Sequence, residues 1–238
     1  MTWSIVAHEP RTGAFAVAVA TCNFAVGASC PFVRAGVGAV STQSITNRYL
    51  GPAILDAMAR GIAPAAAIEG ALAGDEGAHL RQVHAVDRHG RSAAWTGRHC
   101  VTWCGSESAP FVGVAGNMLA GEAVVQDTMA AMLGSGAPLQ ERMMAAMLAG
   151  ERAGGDRRGR QSAAMLLTTT EDFPDLNLRV DDHADPLPEL QRLLGIWTRD
   201  AQPGIGTRPR KAAPSGTTDL DAIEAGWIEM GSPLRLRR

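Results

Sequence analysis

The stretch Thr2-Trp3-Ser4-Ile5-Val6-Ala7, followed beyond the turn Glu9-Pro10-Arg11-Thr12-Gly13 by Ala14–Thr21 (AFAVAVAT), decides how this chain folds. Both segments are short apolar runs bounded by turn formers, the signature of strands. Together they form a hairpin whose first strand opens at Thr2. Methionine is normally trimmed before a small second residue, so Thr2 is expected to carry a hydroxyl and a free α-amino group on one residue. A threonine hydroxyl needs a neighbouring base to attack anything, and a terminal amine can be that base. Its pKa of roughly 7.7–8.0 suits proton transfer near neutral pH. Ser4, two residues on, shares the strand face of Thr2 and is the rival nucleophile. It would need a further cleavage after Trp3.

Working outward, Ala35–Thr42 reads as a third strand. Gly51–Arg60 and Pro64–Ala73 have helical spacing, with Pro52 and Pro64 near helix starts. Arg81–Asp87 and Arg91–Thr96 form a hairpin around Gly90, and Phe111–Ala115 is a short strand. Glu122–Leu133 and Leu139–Ala149 are helices whose methionines read as core filling. Gln161–Thr170 and Leu176–Val180 pair as strands, and Pro188–Trp197 is an amphipathic helix. Residues 199–216, rich in Pro, Gly and basic residues, read as a linker or flexible tail. Thr217–Met230 is a further helix opening on a Thr-Asp cap. This order predicts an α+β fold, a four-layer αββα sandwich of two antiparallel sheets between helical layers. The expected domain is residues 1–198, with a linker at 199–216 and a helix and tail at 217–238.

Composition limits the function. Of 238 residues, 46% are hydrophobic, enough for a sizeable core, and the net charge of −2 gives no footprint for nucleic acid. The basic end Arg235-Leu236-Arg237-Arg238 reads as solvated. No apolar run is long enough to span a membrane, and no basic-then-apolar leader is present, so a cytoplasmic protein is expected. The four cysteines lack CxxC spacing and the six histidines lack HExxH, so reduced buried thiols and no metal site are expected. Asp181-Asp182-His183 with Asp185 resembles a ligand cluster. Consecutive strand residues point to opposite sides, though, so a solvated loop or cap is the stronger reading. A metal-dependent hydrolase built there is the weakest alternative. No nucleotide loop is present, and no cofactor is expected.

Several segments, in order, resemble a known family: TWSIVA (2–7), FAVGA (24–28), RAGVGAV (34–40), YLGP (49–52), GNMLAG (116–121), GGDRRGRQSA (154–163) and LRVDDH (178–183). The chain looks like the Ntn-hydrolase-like family catalogued as domain of unknown function 1028, within the N-terminal nucleophile superfamily. The resemblance spans residues 2–198 and implies the αββα fold. It also implies, by comparison with proteasome-like relatives, attack by Thr2 on an amide carbonyl.

By the same comparison, Arg34 stands where those enzymes carry a lysine that tunes the nucleophile. An arginine cannot act as a base, but it could lower the pKa of the amine, hold an anionic substrate, or be a salt-bridged surface residue. The Asp that those enzymes carry at the end of the second strand is replaced here by Thr21-Cys22-Asn23. Asp156 and Ser162 match residues that support the terminal amine. Arg157, Arg158 and Arg160 could clamp a carboxylate, or form a charged helix-to-strand loop. Asn117 is either an oxyanion donor or a turn residue, and Ser41 and Thr42 are candidates to line the pocket. The expectation is an amidohydrolase acting on a small, anionic substrate; the alternative is a non-catalytic small-molecule binding or assembly module. The Ala- and Met-rich helices are compatible with a homodimer, which nothing in the sequence requires.

Overall fold

The computed structural model describes residues 2–236; Met1, on which the processing expectation rests, and Arg237 and Arg238 of the basic end lie outside. Among the described residues ten strands form: β1 (Thr2–Glu9), β2 (Ala14–Thr21), β3 (Pro31–Arg34), β4 (Gly38–Ser44), β5 (Arg81–Asp87), β6 (Ser92–Thr96), β7 (Gly105–Ala109), β8 (Val112–Asn117), β9 (Ser162–Thr168) and β10 (Leu176–Val180). The α-helices are α1 (Leu50–Ala59), α2 (Pro64–Leu72), α3 (Ala123–Leu133), α4 (Leu139–Arg152), α5 (Pro186–Ile196) and α6 (Leu220–Glu229).

The opening hairpin lies at the centre of a six-stranded antiparallel sheet, ordered β10-β9-β2-β1-β8-β7. β1 and β2 are buried along nearly their whole length because both faces are covered, which is why their sequences are continuous apolar runs. Trp3 and its alternates face α3 and α4, where the Trp3 indole lies against Gly150 and Gly155. Ser4 and Val6 face the second sheet, β3-β4-β5-β6, whose outer side carries α1 and α2. Between the sheets, Val6, Phe15, Val17, Ala39 and Val86 form an apolar cluster. Each Val or Phe buried there contributes on the order of 1.5–3 kcal/mol.

Two strands depart from the sequence reading. The strand predicted at 35–42 begins later, as β4 at Gly38; residues 35–37 form the turn, with Gly36 at φ +69°, that joins it to β3, a strand the sequence reading did not place. β3 begins with proline, which a sheet tolerates at the first residue of an edge strand. β7 (GSESA) carries no apolar alternation because it is a mostly exposed edge strand. Its sequence therefore gives no strand signal.

A first compact unit ends at Leu190 and a second begins at Gln191, within α5. In the second unit, residues read as a linker form a π-helical turn (Trp197–Ala201) and a 3-10 helix (Gln202–Thr207). Asp219, rather than a Thr-Asp pair, caps α6 by accepting from the Ala222 amide at 2.8 Å. No helix among the described residues is long and apolar enough to cross a membrane.

Candidate active site

The start of β1 lies between β2 and β8, with Trp3 opposite Ala20 on one side and Thr2 opposite Asn117 on the other. The Thr2 hydroxyl donates to the Thr21 hydroxyl at 3.2 Å, and Thr2 is 5% exposed. The residue after Thr21 is tied to the glycine-rich loop: the Cys22 amide donates to Asp156 Oδ2 at 2.7 Å. Asp156 also accepts from the Arg158 amide at 2.8 Å and pairs with the Arg158 guanidinium. Asp156 thus closes the corner where the missing second-strand carboxylate was expected. It does so by accepting hydrogen bonds from the Cys22 and Arg158 backbone N–H groups.

Ser162 lies opposite Thr21 across the β2–β9 pair, as a support rather than a reactive group. Its hydroxyl donates to the Asn23 carbonyl at 2.5 Å and accepts from the Val26 amide at 3.1 Å, fixing the loop after β2. Beside Asp156 a pocket of about 480 Å³ is lined by Ala120, Glu151, Gly154, Asp156, Arg157, Gly159 and Arg160. Arg157 therefore lines this pocket, while Arg160 also bridges Glu151 and Asp185. Burial pushes the Glu151 carboxyl above its usual range, against the pull of Arg160. With Glu151, Asp156 and Asp185 alongside Arg157, Arg158 and Arg160, the loop is close to charge-balanced.

Arg34 is not part of this corner. Gln43 reaches the Thr2 carbonyl and Ser41 reaches Ser4, so β4 runs away from Thr2 toward Gly38, and Arg34 pairs with Gly38 at the far end. There it bridges Asp56 at 2.8 Å, half exposed. The surface-pair alternative describes Arg34; tuning of Thr2 does not. Thr42 is also elsewhere. It points to the opposite face from Ser41, and its hydroxyl donates to the Asn47 carbonyl at 3.2 Å. Ser41 is fully buried between the sheets rather than lining an open pocket.

Beneath Thr2 lies a fully buried polar layer, of which the sequence analysis named Ser4, Ser41 and Asn117 but not Gln43, Gln82 or His84. Ser4 Oγ sits 3.0 Å from Ser41 Oγ, 2.8 Å from Gln43 Oε1 and 2.7 Å from His84 Nε2. Gln43 Nε2 donates to Gln82 Oε1 and to the Ala115 carbonyl. Burial drives the His84 pKa down to about 3, only partly opposed by the Gly113 backbone, so the imidazole is neutral. Its Nδ1 lies against that backbone without a hydrogen bond of good geometry. The signal was present as polar residues at two-residue spacing on apolar strands: Thr2 and Ser4, Ser41 and Gln43, Gln82 and His84.

Asn117 belongs to this layer and is not a turn residue. It ends β8, fully buried, and its Nδ2 donates to Gln82 Oε1 at 2.9 Å and reaches the Thr2 carbonyl at 3.5 Å. Of the four cysteines, all free, Cys30 and Cys100 are buried, whereas Cys22 and Cys104 are half-buried, contrary to expectation. Burial raises the Cys30 thiol to about 11. Asp181, Asp182 and Asp185 are engaged by Arg179, Gln161 and Arg160 respectively. Among the described residues no three His, Cys, Asp or Glu side chains are grouped as a metal site would require.

Fold and site define an α+β protein in which two antiparallel sheets, with helices outside, enclose a polar layer beneath one strand terminus. The chain belongs to the family of unknown function DUF1028, whose family model matches residues 2–190. It is similar to protein SPO2555 from Silicibacter pomeroyi, a crystal structure assigned to the same family. That likeness has 30% identity and a TM-score of 0.85, covering 92% of this chain and 96% of that one. Anbu (ancestral beta-subunit) from Yersinia bercovieri is matched at 10% identity with a TM-score of 0.38, over 81% of this chain and 93% of that one. Comparison with curated proteins finds no match.

Proposed function

We propose that the chain is an amidohydrolase of the N-terminal nucleophile type, acting on a small anionic amide, with Thr2 as nucleophile once the chain is processed to begin there. One observation carries this reading. Thr2 heads the central strand with its hydroxyl on Thr21, one residue from the amide that Asp156 holds beside a pocket lined by Arg157 and Arg160. In this reading Thr2 Oγ attacks the amide carbonyl while its proton passes to the α-amine. The amine then protonates the departing nitrogen, and water hydrolyses the Thr2 ester. Ser4 is set aside as nucleophile, because freeing it would remove Trp3 from the core, where Trp3 is 1% exposed.

Intact mass of the purified protein tests the first requirement, since retained Met1 would leave Thr2 without its amine. Thr2→Ala should then abolish turnover of small amides bearing a carboxylate without moving the thermal melt. A variant with full turnover would end the proposal.

A second reading, a non-catalytic small-molecule binding module on this scaffold, is favoured by the placement of Arg34. The charge expected beside Thr2 is bound to Asp56 at the far end of the sheet. A ligand that raises the melting temperature equally in the wild type and Thr2→Ala, without turnover in either, would select it.

A further inference from the structure

Asn117 carries an acceptor with nothing to accept. The side chain is fully buried, and its Oδ1 has no hydrogen-bond partner among the described residues. Its orientation is fixed by its neighbours. Gln82 Nε2 donates to the Gly116 and Gly105 carbonyls and to the Thr96 hydroxyl, so Gln82 Oε1 must face the other way. Gln43 Nε2, set on the Ala115 carbonyl, donates to that same Oε1 at 2.9 Å. The Asn117 atom at 2.9 Å from Gln82 Oε1 is therefore the nitrogen, because a flipped amide would press two oxygens together. Backbone carbonyls thus set the amides in turn, and the last of them is left with an unpaired oxygen.

A buried acceptor without a donor is costly and calls for an explanation. Asn117 is directly opposite Thr2 in the β1–β8 pair, so their Cβ atoms stand about 5 Å apart. A donor at the head of Thr2 is within reach of Oδ1. An internal Thr2 offers one amide hydrogen; a terminal Thr2 offers an ammonium with three, and a charged donor makes the stronger bond. The chain's only lysine is Lys211.

We infer that Asn117 Oδ1 is the acceptor that, by taking an N–H of the Thr2 α-amino group, orients that group toward its own hydroxyl. This rests on the amidohydrolase reading above, and it makes Asn117 a positioning residue for the base rather than a donor to an oxyanion.

The test uses the full chain as wild type, Asn117→Asp and Asn117→Leu. Each is pulsed with acetic anhydride from about pH 6 to 10, and acetylation of the Thr2 amine is read by peptide mass spectrometry, with Lys211 as internal reference. A carboxylate at this position should move the half-point of labelling up by about one pH unit, and leucine should move it down, with the Lys211 curve unchanged. Half-points that stay at the wild-type value, or move together, overturn the assignment. If either variant does not melt cooperatively, Asn117→Ser replaces it, and an unshifted half-point there also overturns it. Retained Met1 in the wild type fells this inference and the hydrolase reading together. Opposite shifts without turnover fell the hydrolase reading alone.

Discussion

Ser4 Oγ and His84 Nε2 meet at 2.7 Å across the two sheets, both fully buried. His84 is held neutral by burial, with its pKa near 3. On unfolding, its pKa returns to the ordinary value of about 6.5. Between those values the unfolded chain binds a proton that the folded chain refuses. The stability at stake is therefore intact above about pH 6.5 and is lost as pH falls toward 3. The slope reaches at most about 1.4 kcal/mol per pH unit. Urea midpoints from pH 7 to 4.5 should fall more steeply for wild type than for His84→Gln. Parallel curves would refute the account.

Asp75 ties the start of β5 to two loops. It accepts from Arg81 Nε at 2.9 Å, from Asn47 Nδ2 at 2.8 Å and from the Gly77 amide at 2.9 Å. The Arg81 side chain, aided by Asn47 and Gly77 and opposed by burial, holds its carboxyl well below the usual carboxylate range. Its contribution is present above the ordinary carboxylate pKa and is lost as pH falls through the depressed value. Asp75→Asn should cost about 2 kcal/mol at pH 7. The loss should shrink at pH 2, because the carboxyl of the unfolded chain is protonated there while the folded one resists protonation. Thermal melts at the two pH values check both points.

Gly150 lies inside α4, where alanine would normally gain about 1 kcal/mol in helix propensity. Here a Cβ would stand 2.3 Å from Thr128 Oγ1 and 2.8 Å from Trp3 Nε1. Overpacking of this kind costs about 1–3 kcal/mol and outweighs propensity. Gly150→Ala should therefore lower the denaturation midpoint, and a stabilised variant would show that the helix crossing yields.

Asp156 holds the amides of Cys22 and Arg158 together. With Asp156→Ala these donors lose their acceptor and the corner should open. The half-buried Cys22 thiol, whose Sγ lies 3.7 Å from the Arg158 carbonyl, should then react several-fold faster with a thiol reagent. An unchanged rate would mean that the loop is held by other contacts.

What could be read from the chain follows how strongly each residue's own neighbours constrain it. The β1–β2 hairpin and the helices were legible because burial on both faces or on one helical stripe leaves a periodic trace. β3 and β7 were not: β3 is only four residues long and joined to β4 by a tight turn, and β7 is a mostly exposed edge strand whose residues show no alternation. Arg34 misled because sequence separation measures distance along a strand but not which end of the sheet is reached. Asp156 was singled out by the family resemblance, in a glycine-rich loop. Gln43, Gln82 and His84 were missed because they stand beside other polar residues, in STQS (41–44) and RQVH (81–84), where nothing marks them as buried. Their meaning emerges only when two sheets bring them face to face.

The amide layer beneath Thr2 has a consequence for how the two sheets find each other. Hydrocarbon surfaces are forgiving: slide one sheet along the other and Val6 would still meet an alanine or a valine. The amides are not forgiving. A two-residue slide would leave Gln43 and Gln82 without the Ala115, Gly116 and Gly105 carbonyls they now satisfy. Each stranded group would cost roughly 1–3 kcal/mol. A misaligned sandwich could bury the same oil and still be rejected, so the polar layer works as a lock that only one alignment of the halves will turn.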